Sequence, residues 1–446
     1  MVVRAALASA ARTGDERHVP AGIEALRSPA TRTAARRALE RLGPVAFDDL
    51  VTKLNDTTAD PLVRHHIPRA LAGIPTQATV DALIRSYDLK ETSQLLDDRT
   101  LQALVRLRRR HDRLAFDRDE VLRLMEREVS TARRYAGALA SVSQLNGDRE
   151  SVGLLSRALD EARAERRRST FRWLGLISRP EGMYRCSLAM DSGDARSRAN
   201  AIEWLETTVG HGLFRRLQPL LEPPRKDAKA RREADRDPAE TLRRLWDDED
   251  HWIARCAIWA AVDLGLPGTW SDLGTFQPAD ADLEALVGRL NRRRAGSIEP
   301  GRDEKGRGAM DTIEKLFLLQ NIDLLRDAPS AQLALLASIA TEIHVDTGAD
   351  LLELGQPADA MYVVVRGRVE LEGRGEERLV AQEGEAFGTW ALIDAAPSVM
   401  GATVSEPTHL LRIRRQDFND LLADYPELGL GLLQGLAKRV RTLLPA

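Results

Sequence analysis

Along most of the first 290 positions apolar residues recur three and four apart, the pattern of helices that bury one face. One phrase keeps returning: an acidic or hydroxyl residue, an arginine a few positions on, then an alanine- and leucine-rich face. It is carried by SPATRTAARRALERLG (Ser28 to Gly43), TADPLVRHHIPRALAGI (Thr58 to Ile74), LDDRTLQALVRLR (Leu96 to Arg108), DARSRANAIEWLE (Asp194 to Glu206) and DDEDHWIARCAIWAAVDLG (Asp247 to Gly265). TARRYAGALASV (Thr131 to Val142) and RRRSTFRWLGLI (Arg166 to Ile177) are weaker versions. Most spacings are about 30 to 40 residues, the period of stacked helical hairpins, since one hairpin cannot bury its apolar face alone. An irregular α-bundle is the alternative. From Asp311 two more helices are expected, DTIEKLFLLQNIDLL and SAQLALLASIA, the second capped at Ser330.

The period then drops to two. EIHVDTGADLLELGQPADAMYVVVRGRVELEGRGEERLVAQEGEAFG reads as short strands separated by Gly-, Asp- and Pro-bearing turns, which predicts a small antiparallel barrel or roll. Within GEAFGTWALIDAAPSVMGATV (Gly384 to Val404) the order is strand, glycine turn, short apolar helix, strand. A helix opening at Arg415 and another after Pro426 close the chain, the last with the stripe Leu428, Leu432, Leu436, Val440 and Leu443.

Composition narrows the function classes. Net charge is −3 and aromatics are 4%, which disfavours wholesale phosphate-backbone binding and stacking platforms for single strands. The basic runs RLRRRHDR (Arg106 to Arg113) and RAERRRSTFR (Arg163 to Arg172) read as a solvated face or an inter-repeat salt-bridge set. Cys186 and Cys256 are expected as reduced core thiols, and Trp204, Trp252 and Trp259 as core fillers. Neighbouring His65 and His66 point to different sides of a helix and are expected as buried or half-exposed residues rather than joint metal ligands. No run approaches the roughly 18 apolar residues of a membrane helix, and the opening is too weakly hydrophobic for a secretion signal, so a cytoplasmic location is expected. No phosphate loop, nucleophile elbow, zinc-protease helix or paired CxxC is present, and the chain is expected not to be an enzyme. EPPRKDAKARREADRDPAE (Glu222 to Glu240) is expected as an exposed insertion.

The phrase at Asp60 to Arg64 resembles the second helix of HEAT repeats, and the resemblance spans about Pro20 to Leu264. From Asp311 to Leu444 the order of helices, strands, short helix, strands and helices resembles the cyclic-nucleotide-binding domain. GQPADAMYVVVRG (Gly355 to Gly367), FGTWALI (Phe387 to Ile393) and ATV (Ala402 to Val404) carry that likeness. Together they imply an all-α HEAT-like solenoid over 1–290, a flexible linker over 291–309 and an α+β cyclic-nucleotide-binding roll over 310–446. The domain order and DTIEKLFLL (Asp311 to Leu319) also resemble the soluble region attached to some bacterial ATP/ADP-translocase-like carriers, which implies a membrane transporter as one partner. In catabolite-activator-type regulators the last helix leads into a DNA-reading module; no recognition helix follows Pro426, so no DNA is expected as partner.

The resemblance implies a ligand site at Phe387, Gly388, Thr389, Trp390, Ala391, Ser398, Met400, Gly401, Ala402 and Thr403, with cAMP or cGMP as ligand. Family members place a glutamate where Thr389 stands, to hold the ribose 2′-hydroxyl. They place an arginine at the position that falls on Met400 counting back from Ala402, or on Ser398 counting forward from Pro397, to neutralise the cyclic phosphate. Hydrogen bonds to charged groups contribute roughly 1.5 to 3 kcal/mol each, so losing both weakens binding by roughly two to four powers of ten. The expected function is a regulatory sensor coupled to a protein-interaction scaffold. The alternative is a scaffold whose degenerate pocket takes no cyclic nucleotide.

Overall fold

The structure, a computed structural model, describes residues 2–443 apart from 90–93, 146–148, 193, 222–236, 295–309, 327, 374–377 and 395. Most of the expected insertion at 222–240 and of the expected linker at 291–309 therefore lies outside the described residues. The chain divides into two compact units, Met1–Ala261 and Val262–Ala446.

The first unit is helical: α1 (Val2–Thr13), α2 (Val19–Glu24), α3 (Pro29–Leu42), α4 (Pro44–Asn55), α5 (Pro61–Leu71), α6 (Gln77–Asp88), α7 (Gln94–Arg110), α8 (Arg118–Val142), α9 (Glu150–Ile177), α10 (Pro180–Asp191), α11 (Ala195–Val209), α12 (His211–Leu221), α13 (Pro238–Leu245) and α14 (His251–Asp263), the last ending two residues beyond the division. Helices near in sequence pack on one another, α5 on α7, α6 on α7, α8 on α9, α9 on α10 and α10 on α11. One apolar core runs through them from Leu7 to Leu221. The repeated phrase has a visible job in α5. Asp60 accepts from the Leu62 N–H at 2.9 Å, Pro61 occupies the first turn where its missing N–H costs nothing, and Arg64 reaches back to donate to the Leu54 carbonyl of α4 at 3.1 Å. The phrases at Thr131 and Arg166 are the second halves of long helices, α8 and α9, rather than members of short hairpins. Trp204, Trp252 and Trp259 are half-buried; the tryptophans that fill the core are Trp173 and Trp246. Cys186 and Cys256 are buried free thiols, and burial raises the Cys186 thiol to about 11.

The second unit opens with α15 (Thr269–Thr275) and α16 (Ala281–Arg294), then α17 (Thr312–Leu319) and α18 (Ser330–Ile339). Asp311 and Glu314 close a capping box on α17, and Arg293 of α16 pairs with the same Glu314. The N-cap of α18 is Pro329; Ser330 is its first helical residue.

Among the described residues eight strands follow: β1 (Thr341–Val345), β2 (Asp350–Leu352), β3 (Ala360–Arg366), β4 (Val369–Glu372), β5 (Arg378–Ala381), β6 (Ala386–Phe387), β7 (Gly401–Val404) and β8 (Thr408–Arg414). They form two antiparallel sheets, ordered β1-β8-β3-β6 and β2-β7-β4-β5. Ala360, Tyr362 and Val364 of β3 join the apolar cluster of the roll with Leu352, Val369, Leu371 and Ala402. Met361 and Val363 are equally buried, so β3 reads as a continuous apolar run rather than a half-exposed strand. Gly367 ends β3 at φ +104°, where a side chain would collide with the Thr408 hydroxyl 2.6 Å away. Two helices complete the unit, α19 (Arg415–Asp424) and α20 (Pro426–Leu443). Leu428 and Leu432 of α20 are buried, and α20 packs on α19; the side chains of Val440 and Leu443 lie outside the described residues. Among the described residues no helix is long and apolar enough to cross a membrane.

Candidate ligand site in the roll

β6 is two residues long and hangs on β3, Phe387 opposite Tyr362 and Ala386 opposite Val363. The Phe387 and Tyr362 rings stack at 5.3 Å and 17°. Burial, then Asp359, raises the Tyr362 hydroxyl, with Arg412 and Arg414 opposing. The chain next turns through Gly388 at φ +70°, where a Cβ would stand 2.9 Å from the Ala360 carbonyl oxygen. Only glycine takes that dihedral and that approach without strain. A 3₁₀ turn follows over Thr389–Leu392. Ala391 and Leu392 are buried beneath it, Thr389 is half-buried and Trp390 is 64% exposed.

Arg415, the first residue of α19, fixes this turn from below. Its guanidinium donates to the carbonyls of Ala391 and Ala358, while its own N–H donates to the Asp359 carbonyl at 2.7 Å. Charge-assisted bonds of this kind contribute roughly 1.5 to 3 kcal/mol each. Arg415→Ala is expected to lower the local opening free energy of residues 389–392 by about 2 kcal/mol, read as about thirtyfold faster amide hydrogen exchange there. Unchanged exchange would show that packing alone holds the turn.

The rest of the cassette faces elsewhere. The loop before β7 is tied to the Gly355–Gln356 turn, with Gly355 N–H donating to Ser398 O at 2.8 Å and Ser398 N–H to Gln356 O at 2.7 Å. The Ser398 hydroxyl donates to Met400 O at 2.6 Å, and Met400 packs against the roll's apolar cluster. Gly401 and Ala402 sit in β7 between β2 and β4, with Ala402 fully buried. Exposed Thr403 spends its hydroxyl on Asp350 Oδ1 at 2.7 Å.

A cavity of about 620 Å³ opens beside the turn. Of the ten residues expected at the site, Thr389 and Trp390 line it, while Phe387, Gly388 and Ala391 shape the turn that presents them. Ser398, Met400, Gly401, Ala402 and Thr403 do not reach it. Its other walls come from Leu371 of β4, Leu379 and Val380 of β5, the Ile322–Leu324 segment and Leu436 of α20. Asp323 and Glu385 are its charged lining residues, and among the described residues no cation lines it. The Ala391 N–H, one of the backbone donors expected to face an anion, is spent on Gly388 O at 2.9 Å. Sequence reasoning missed Arg415, Asp323, Leu379 and Val380; Leu436 alone had a signal, its place in the apolar stripe after Pro426. Elsewhere among the described residues no group of three His, Cys, Asp or Glu could hold a metal ion.

Residues 342–425 match the family model of the cyclic nucleotide-binding domain. Uncharacterized NTE family proteins of Mycobacterium bovis and Mycobacterium tuberculosis are 30% identical to the chain over 129 residues, 29% of this chain and 22% of theirs. A CRP-like cAMP-activated global transcriptional regulator of Mycobacterium tuberculosis is 29% identical over 118 residues, 25% of this chain and 52% of the regulator. Among solved structures, the N-terminal domain of a transcriptional regulator from Streptomyces coelicolor A3(2) is 27% identical, covering 28% of this chain and 94% of that one, with a TM-score of 0.27. The chain thus spans about a fifth of the NTE family relatives and about half of the CRP-like regulator.

The likeness of 129 residues to the NTE family proteins overturns the expectation that the protein is not an enzyme. That expectation rested on missing local motifs, whereas catalytic groups are recognised by geometry and come from positions far apart in a chain, so a motif survey is a poor test. What the match over 342–425 and the two-sheet roll establish together is a C-terminal cyclic nucleotide-binding domain preceded by a helical region.

Proposed function

We propose that the roll is the sensing half of a regulatory protein and that the helical region is a HEAT-like scaffold for protein contacts. The observation that carries the sensing role is Leu436: a residue of the terminal helix shares a cavity wall with Thr389 and Trp390. A ligand that fills the cavity touches α20, so occupancy and the position of α20 are linked through differential contacts. At about 620 Å³ the cavity is within the size range of small-ligand sites. The CRP-like relative is named for activation by cAMP, and cAMP and cGMP are the ligands to test first. The scaffold role draws on helices that pack in sequence order around one core. Residues 310–446 are the functional domain on this reading, with a membrane transporter of the translocase-like kind among the partners to test.

Thr389 stands where the resemblance implies a carboxylate, Met400 or Ser398 where it implies a cation, and two carboxylates line the cavity instead. Binding of cAMP or cGMP is therefore expected to be saturable but weak, with Kd between about 100 µM and about 1 mM. Calorimetry, with the emission of the exposed Trp390 as a second readout and Trp390→Phe as its blank, checks this. Gly388→Trp is expected to abolish binding while leaving far-UV circular dichroism unchanged. No heat and no Trp390 response at about 1 mM would instead favour a second reading, which the missing cation also supports. On that reading the roll is a contact module whose cavity holds no cyclic nucleotide.

A further inference from the structure

The arginine runs of the helical region are only half accounted for by salt bridges. On α9, Arg168 pairs with Glu165 at 2.5 Å and Asp191 at 3.5 Å, and Arg172 pairs with Asp98 and with Glu165 at 3.0 Å. The pairs with Asp191 of α10 and Asp98 of α7 are interhelical bridges of the kind that the sequence suggests, and those with Glu165 lie within α9. On the facing α7, Arg106, Arg109 and Arg110 stand three and four apart and share one side of the helix. Arg109 has a distant partner, Glu181 at 3.5 Å, and lies over the Tyr184 ring at 5.6 Å. Arg106 and Arg110 have no hydrogen bond or ion pair among the described residues. Burial, then the neighbouring Arg110 and Arg36, lowers the half-buried Arg106 guanidinium below its ordinary value, with Glu40 opposing.

These arginines form one wall of a groove of about 440 Å³ between α7, α9 and α10. Its floor is apolar. Phe171 of α9 is buried beneath it, and Tyr184 and Leu188, four apart on α10, are 56% and 52% exposed. Large apolar side chains held in the open beside unneutralised cations ask for an occupant with both characters. A small inorganic anion would leave Tyr184 and Leu188 uncovered. A nucleic acid strand would find one exposed aromatic ring in the groove and a protein of net charge −3.

We propose that this groove docks an acidic peptide segment of a partner protein, with aliphatic side chains seated on Phe171, Tyr184 and Leu188 and carboxylates paired to Arg106 and Arg110. The assignment deepens the scaffold half of the proposed function and is independent of what the roll binds, so failure here with intact nucleotide binding separates the two.

The test uses the full chain and a fluorescein-labelled dodecapeptide of paired glutamates and leucines, followed by fluorescence anisotropy. Saturable binding that weakens with added salt is expected. Arg106→Glu with Arg110→Glu is expected to weaken it about tenfold or more, and Tyr184→Ala with Leu188→Ala by a similar factor, whereas exposed Arg41→Glu with Arg118→Glu, outside the groove, leaves it unchanged. A peptide with serine in place of leucine is expected to bind at least about tenfold more weakly to the unaltered chain, a comparison that stands even if a groove variant misfolds. The proposal is overturned by no saturation at about 1 mM peptide, by equal affinity of the leucine and serine peptides, or by equal binding in the Arg106/Arg110 variant. Displacement of the peptide by duplex DNA at lower concentration than by unlabelled peptide would also overturn it, since the groove would then be a phosphate-backbone site.

Discussion

Replacing Glu128 by alanine is expected to lower the unfolding midpoint of the helical region by about 10 °C or more, the largest effect of any single substitution considered for this chain. Glu128 sits in α8 with no exposure at all. Its carboxylate accepts from the Tyr87 hydroxyl of α6 at 2.8 Å and from the Arg166 guanidinium of α9 at 3.1 Å. Burial works against the Arg166 charge, but Glu128, Tyr135 and Tyr87 outweigh it, and the guanidinium is held above its ordinary value. Removing the carboxylate leaves that charge buried and unpaired and the Tyr87 hydroxyl without its acceptor. Breaking a buried pair in this way costs about 3 to 5 kcal/mol. Glu128→Gln keeps an acceptor but not the charge, and is expected to fall between. Glu128→Met with Arg166→Leu removes both charges and is expected to recover most of the loss, because the desolvation cost of the pair disappears with the pair. Calorimetric midpoints at pH 7 decide it. A single Glu128→Ala variant within about 2 °C of the parent would mean that water reaches Arg166 and the site is not the dry pair its geometry describes.

That network marks where sequence reading stops. The start of α5 is legible because capping chemistry is local: Asp60 followed by Pro61 says where the helix begins, whatever it later packs against. The joining of the phrase at Thr131 to the helix before it is not legible, since the phrase merely continues α8, and α9 runs on in the same way for 28 residues. The Tyr87–Glu128–Arg166 network draws on three helices, and no spacing rule links an acid on one to an arginine on another. The tryptophans show the same limit. Composition says that large rings fill cores, but Trp173 lies edge-on to Tyr87 at 4.9 Å while Trp204 is half-buried against Gly182, a difference set by neighbours far along the chain.

In the roll the legible part is again the part with local steric cause. Gly388 reads as a turn because the chain needs a positive φ and a close approach there, and both are present. The hydroxyls of Ser398 and Thr403 looked free to meet a ligand only while their partners, Met400 O and Asp350, were out of view. The cavity that does form draws its walls from Asp323, Leu379, Glu385 and Leu436, residues brought together by the closing of two sheets and a terminal helix. The same closing hides Arg415, whose role at the Ala391 carbonyl follows from where β8 ends rather than from any motif.

Acidification from pH 7.5 to pH 5 is expected to destabilise the helical region by about 2 to 4 kcal/mol, well before its carboxylates titrate. His65 and His66 of α5 are responsible. Burial, reinforced by Arg99 and Arg64 and opposed by Asp60, lowers His65 to about 4. Burial, with Arg32, Arg99, His65 and Arg69, lowers His66 to about 3. Arg99 also donates to the His66 Nδ1 at 3.3 Å, an acceptor role that a protonated nitrogen loses. Both folded values lie below the unfolded value of about 6.5, so the unfolded chain binds protons first as pH falls. Stability is therefore complete above about pH 6.5 and is lost progressively down to about pH 4 and then about pH 3, the reverse of a histidine that gains an acidic partner. His65 contributes about 2 kcal/mol by pH 5, and His66 less than that, because its side chain is only half-buried and solvent screens it. Asp250 has the opposite sign, since burial and Asp248 raise its carboxyl, which favours the fold in acid and partly offsets the loss. His65→Gln with His66→Gln removes the two titrations and leaves Asp250 in place. Chemical-denaturation midpoints of the parent and the double variant across pH 5 to 7.5 separate them: the parent should lose stability steeply and the variant should show a flat or slightly reversed slope, while parallel slopes would place the acid sensitivity outside α5.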